Sequence, residues 1–108
     1  METRQAIAAL GALAQESRLA VFRLLVQAGP AGLAASRIAE QIGLPPSSLS
    51  FHLKELTHAG MVTSTQEGRF VIYAANYDTM NALLAFLTDS CCSGNHCSPV
   101  GICEPAKT

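Results

Sequence analysis

The chain has no tryptophan, two tyrosines and four phenylalanines, and only 14% of its 108 residues carry charge. Its first ninety residues contain no cysteine. Each shortage excludes something. Seven Lys and Arg against eight Asp and Glu leave a net charge of −1, so bulk positive charge cannot hold a polyanion. A small reader of nucleic acid would then need its few cations on one face. No stretch approaches the roughly 20 apolar residues of a membrane span. Three histidines and eight acids are scattered with no nucleophile–base pair, phosphate loop or carboxylate constellation, so catalysis is not expected.

What is present is apolar. Hydrophobic residues make up 49% of the chain, which argues for a folded protein whose surface keeps apolar area for a partner. A chain of this length buries roughly 60–70% of its unfolded surface, enough for one thin core that subunit pairing would enlarge. Arg4 and the alanine-rich run after it have the outline of a weak signal peptide. The run is short and repeats every three residues, as an amphipathic helix does, so it is read as a helix. A cytoplasmic protein is expected, where free thiols or bound metal are favoured over disulfides.

The periodicity predicts a first helix with Ile7, Leu10 and Leu13 on one side and Thr3 as N-cap. A second helix starts near Ser17 with a stripe of Leu19, Phe22, Leu25 and Val26, and Gly29-Pro30 stops it. A third runs from about Ala35 to Ile42 and closes at Gly43. After the turn Leu44-Pro45-Pro46, a fourth spans about Ser47 to Ala59, with Pro46 suited to a first helical position. Leu49, Leu53, Leu56 and Gly60 line one face of it. Ser47, Ser48, Phe51, Lys54, Glu55 and His58 occupy the other. Two β-branched runs, residues 61–66 and 70–73, flank Glu67-Gly68-Arg69 as a hairpin. A last helix, about Asp78 to Asp89, places Met80, Leu83, Leu84 and Leu87 together. The expected fold is mainly α with a small β-hairpin: a winged helix-turn-helix over residues 1–89, followed by a cysteine-containing tail, residues 90–108. In such a fold the fourth helix enters a DNA major groove and the hairpin tip reaches neighbouring backbone or minor groove.

Several stretches carry a resemblance: Gln15-Glu16-Ser17-Arg18-Leu19, Ile38-Ala39-Glu40, Ser48-Leu49-Ser50-Phe51-His52-Leu53-Lys54, Ala59-Gly60-Met61-Val62 and Glu67-Gly68-Arg69. In combination, over roughly residues 5 to 89, they resemble the ArsR/SmtB family of metal-responsive bacterial repressors. The resemblance implies a homodimer held by the first and last helices. It also implies binding to double-stranded operator DNA without ligand, and release when a metal or metalloid binds. The chain departs from the family in two places. Gly32 to Ser36 lacks the Cys-x-Cys box that many arsenic-sensing members carry at the third helix, and the last helix offers Asp78 and Asp89 but no histidine. The thiols stand after the last helix, a position resembling arsenical sensors with a tail-borne cysteine site. Pro45 stands where members of the family often have a polar capping residue.

Those thiols are Cys91, Cys92, Cys97 and Cys103. Thiolates favour soft, thiophilic centres. Adjacent Cys91 and Cys92 suit tetrahedral zinc poorly, because zinc sites separate paired ligands by two to four residues. Trivalent arsenic or antimony takes three thiolates in a shallow pyramid, which two neighbours and a third across a short loop can supply. Gly94 allows the bend, Cys97 is the expected third ligand and Cys103 the reserve. The expected inducer is arsenite, As(III), or Sb(III), with zinc, cadmium or lead as the alternative. Three other readings stand beside it: a structural Cys₃His zinc knot using His96, a thiol redox switch, and a tail whose cysteines do nothing.

On the DNA side the candidates are Ser47, Ser48, Ser50, Phe51, Lys54 and Arg69. The serines meet phosphate or bases, or cap the helix, with Ser50 on the flank of the exposed face. Phe51 presses a thymine methyl or packs on the hairpin. Lys54 and Arg69 suit phosphate or the minor groove. His52, near the leucines, reads as a hydrogen-bonding histidine rather than a base reader, and Arg18 and Arg23 as added charge or solvated side chains. From another class, the same fold would serve as a protein-interaction module, which a steep salt dependence of DNA binding would exclude.

Overall fold

A computed structural model describes residues 1–89; all four cysteines and His96 lie outside the described residues. The described residues run α1 (Thr3–Leu13), α2 (Glu16–Ala28), β1 (Leu33–Ala34), α3 (Ala35–Ile42), α4 (Pro46–His58), β2 (Val62–Glu67), β3 (Phe70–Ala75) and α5 (Tyr77–Leu87). The strands pair antiparallel in the order β1-β3-β2, with Leu33 opposite Tyr73 and Thr65 opposite Ile72. Helices α3 and α4 with the β2–β3 hairpin form a winged helix-turn-helix.

The turn between α3 and α4 follows from local chemistry. Gly43 ends α3 at φ 81, in the left-handed region where a Cβ is unwelcome. Pro46 opens α4, where its missing N–H leaves no helical bond unmade. Leu49, Leu53 and Leu56 then point into the core and are almost fully buried, in one cluster with Val21, Phe22 and Leu25 of α2 and Ile38 of α3. This anchors α4 by its inner face and leaves the outer face to solvent. The wing is secured at its base by buried Val62 and Ala75, directly paired across the hairpin.

Three features differ from the periodicity reading. In α1 the core takes Ala6, Ala9 and Ala12, while Ile7 is 64% exposed and Leu10 is exposed too. Alanines let α1 lie close on α2 and α4, and the bulkier side chains are left outside. Thr3 is the first helical residue rather than the cap; Glu2 is the cap, and its N–H donates to Gln5 Oε1 at 2.9 Å. In α2, which begins at Glu16, Val21 takes the inward place and Leu19 is exposed. In α5 the predicted stripe divides: Leu83 is core and Met80 packs against it, whereas Leu84 and Leu87 face outward.

Strand β1 is an addition. Gly32, at φ 73, brings the chain so close to β3 that a Cβ there would collide with the Tyr73 carbonyl. The Tyr77 hydroxyl donates to the Val26 carbonyl at 3.0 Å, fixing the start of α5 to the end of α2.

Candidate nucleic-acid interface

The outer face of α4 presents Ser47, Ser48, Ser50, Phe51 and Lys54, all exposed, and Phe51 is 57% exposed despite its size. A phenylalanine left in water on a helix whose inner face is full marks a surface that gains from being covered. The N-cap Pro45 contributes no side-chain hydrogen bond, so the first-turn N–H groups of Ser47 and Ser48 keep their need for an acceptor. A helix start in this condition attracts phosphate through its free N–H groups and its dipole. Pro45 thus leaves the helix end open.

Arg69 occupies the hairpin turn beside Gly68, which takes φ 62, and Phe70 next to it is 60% exposed. The turn is fastened internally by Gln66 Nε2, which donates to the Gly68 carbonyl at 2.9 Å. Among the described residues the ion pair present is Arg37–Glu40 on α3, at 3.8 Å and well exposed, so Lys54 and Arg69 keep their charges unpaired. An exposed pair of that kind adds little to stability.

Between α4 and the wing lies a groove lined by Ser50, Lys54, Thr57, His58, Ser64 and Tyr73. Thr57 and Ser64 are additions to the sequence candidates. Ser64 was readable in principle: alternation along β2 puts it on the same face as buried Val62, hence toward α4. The Thr57 hydroxyl is already committed, donating to the Leu53 carbonyl at 2.7 Å. His52 is half-buried and edge-on to Phe51, with ring centroids 5.7 Å apart. Nη1 of Arg18 lies 3.4 Å from its Nδ1. Arg18 is thus a partly buried structural side chain and not a solvated cation. Cys91, Cys92, Cys97, Cys103 and His96 lie outside the described residues, and no described helix is long and apolar enough to cross a membrane.

A model of a helix-turn-helix domain family matches residues 13–65. The transcriptional regulator NmtR of Mycobacterium tuberculosis is 38% identical over 80 residues, which is 74% of this chain and 63% of that protein. The chain spans 63% of the length of the curated relatives it matches. A solved structure described as a possible transcriptional regulator for arsenical resistance is 30% identical, with a TM-score of 0.65 over 76% of this chain and 81% of that one. A homodimeric winged helix-turn-helix DNA-binding domain from Mycobacterium bovis, described as possibly of the ArsR family, is 27% identical. Its TM-score is 0.65, over 87% of each chain.

Proposed function

The chain belongs to the ArsR family of winged helix-turn-helix transcriptional regulators; from that membership we propose a homodimeric repressor that holds double-stranded operator DNA and releases it when As(III) or Sb(III) binds the tail. The observation that carries the DNA half is the outer face of α4: three serines, Phe51 and Lys54 stand exposed on a helix whose leucines are packed, beside a wing tip bearing Arg69. In this reading the first-turn N–H groups and serine hydroxyls meet phosphate, Phe51 meets a thymine methyl, and Lys54 and Arg69 neutralise phosphates at and beside the groove.

The dimer is supported by apolar side chains left outside the core. Ile7 and Leu10 on α1, with Leu84 and Leu87 on α5, are exposed on two helices that pack against one another. The M. bovis relative with this fold is homodimeric. Pairing two subunits sets two reading helices about one helical turn, ~34 Å, apart, and a small change of that spacing releases DNA.

The metalloid half rests on chemistry in the sequence: four thiols within thirteen residues, two of them adjacent, and none elsewhere. The relative described in terms of arsenical resistance is consistent with that inducer. Cys91, Cys92 and Cys97 are the proposed ligands, with Cys103 and His96 in reserve, and the proposed domain boundary lies between residues 89 and 90. A ligand can shift the dimer only by binding its two geometries differently. Cys91 stands two residues after Asp89 and three after Thr88, the C-cap of α5, so ligand binding there acts next to the dimer face. The protein acts in the cytoplasm, where operator and reduced thiols coexist.

Anisotropy of a labelled upstream-region duplex, with reduced protein and added arsenite, tests this. Release in the parent but not in Cys91→Ser/Cys92→Ser supports the tail as trigger. Release by zinc or cadmium alone replaces the metalloid with a soft divalent ion, and release by oxidant alone replaces it with a redox switch. Absence of salt-sensitive binding to any upstream duplex removes the repressor reading itself.

A further inference from the structure

Arg18 stands in the first turn of α2, and its guanidinium reaches two other helices at once. Nε donates to the Ala12 carbonyl at 2.7 Å, and Nη1 lies 3.4 Å from Nδ1 of His52. Ala12 is in the last turn of α1, where carbonyls have no donor further along the helix. His52 is at the middle of α4, one residue after Phe51 and in edge-on contact with its ring. The 2.7 Å arm is the short, charge-assisted one; the 3.4 Å arm is the longer.

The partners decide what Arg18 is for. A guanidinium has only N–H donors, so a hydrogen bond between Arg18 and His52 requires Nδ1 to accept, with the ring proton on Nε2. In that arrangement both partners act as acceptors. Among the described residues Arg18 forms no ion pair, although Glu55 lines the same crevice between α1 and α4. Two diverging donors from one planar group are what arginine offers and lysine does not. The side chain connects the exposed-apolar helix α1 to the reading helix α4 from a third helix, α2, that packs against both.

We propose that Arg18 is a positioning residue: it registers the reading helix α4 against α1 and, through His52, holds the Phe51 ring at the DNA face. A displacement of α1 at the subunit boundary therefore reaches α4 through a side chain as well as through packing. This rests on the DNA-binding reading above and adds to it the route by which a change between subunits is felt by the reading surface.

The test uses full-length reduced protein in four variants: Arg18→Lys, His52→Leu, His52→Asn and Arg18→Lys/His52→Leu. Asparagine places an acceptor oxygen near where Nδ1 stands; leucine removes it. Duplex affinity is expected to fall about tenfold or more in Arg18→Lys and His52→Leu, and to stay near parent in His52→Asn. The double variant is expected to be no weaker than the worse single one, because both remove the same link. Melting temperature and oligomeric state, measured alongside, should stay near parent. Additive losses, or losses that only follow melting temperature, overturn the proposal. So does a loss in His52→Leu that His52→Asn fails to restore. Side-chain ¹⁵N spectra read the link without DNA: the parent is expected to carry the His52 proton on Nε2, and Arg18→Lys to disturb that preference. A parent protonated on Nδ1 overturns the proposal. Should no duplex bind the parent, the repressor reading fails, and these spectra still decide whether the link exists.

Discussion

Replacing Arg69 with Gln removes the wing-tip cation while keeping a polar side chain of similar length. Among the described residues Arg69 has no ionic partner, and neither has Lys54, so each reading surface offers two free positive charges. A dimer would offer four. Each neutralised phosphate contributes about 0.9 to the slope of log affinity against log salt, so the parent slope should be about −3.6. Raising salt from about 50 to about 200 mM should then weaken binding about 150-fold. With Arg69→Gln the dimer keeps two such contacts, the slope falls to about −1.8, and the same change of salt weakens binding only about 12-fold. The assay is anisotropy of a labelled duplex at four or more salt concentrations, with circular dichroism confirming that the hairpin is intact. An unchanged slope in Arg69→Gln would refute contact between the wing tip and phosphate. A loss of affinity equal at every salt concentration would show that what Arg69 contributes is not ionic.

Gly32→Ala should destabilise the fold by about 1–3 kcal/mol or more, because φ 73 is strained for alanine and the new Cβ meets the Tyr73 carbonyl. Urea unfolding reads this, and an unchanged midpoint would show that β1 can detach from β3 at no cost. Ile7→Glu should shift sedimentation from dimer to monomer, since the residue is 64% exposed in the subunit and a buried unpaired carboxylate is expensive. A dimer of parent strength would place the subunit boundary away from α1. Arsenite affinity should be nearly flat with pH below the thiol range, because each thiol proton leaves as water with a hydroxide of As(OH)₃. Zinc or cadmium affinity should instead weaken as pH falls, by up to about tenfold per pH unit for each thiol that loses a proton on binding. A cadmium titration series with flat affinity across pH would argue against thiolate ligands.

The turn and the inner face of α4 were legible because each is decided locally. Gly43 and Pro46 dictate backbone angles by themselves, and Leu49, Leu53 and Leu56 repeat along one helix face. The hairpin was legible from its β-branched runs, to within two residues at each strand. Helix α1 was legible as a helix but not in its facing, since it has apolar residues on two faces and periodicity cannot say which belongs to its own subunit. Strand β1 has two residues and hence no period to detect. Arg18 escaped for a different reason: its role depends on His52, 34 positions away, and nothing in the sequence around it announces a partner. The groove residue Ser64 lay in between, deducible once buried Val62 fixed the facing of β2.

The sheet has two edges, and the protein blunts both. On one side β1 is only two residues long. On the other, β2 runs Thr63-Ser64-Thr65-Gln66-Glu67 beyond its buried Val62, without an aliphatic or aromatic side chain. Unpaired strand edges invite other chains to add themselves, and short or polar edges discourage it. For a chain that is 49% hydrophobic, this keeps a protruding hairpin from seeding aggregates. It also limits how the wing can change: valine or isoleucine at Thr63 or Thr65 would raise strand propensity and, by the same step, turn an exposed hairpin into an adhesive one.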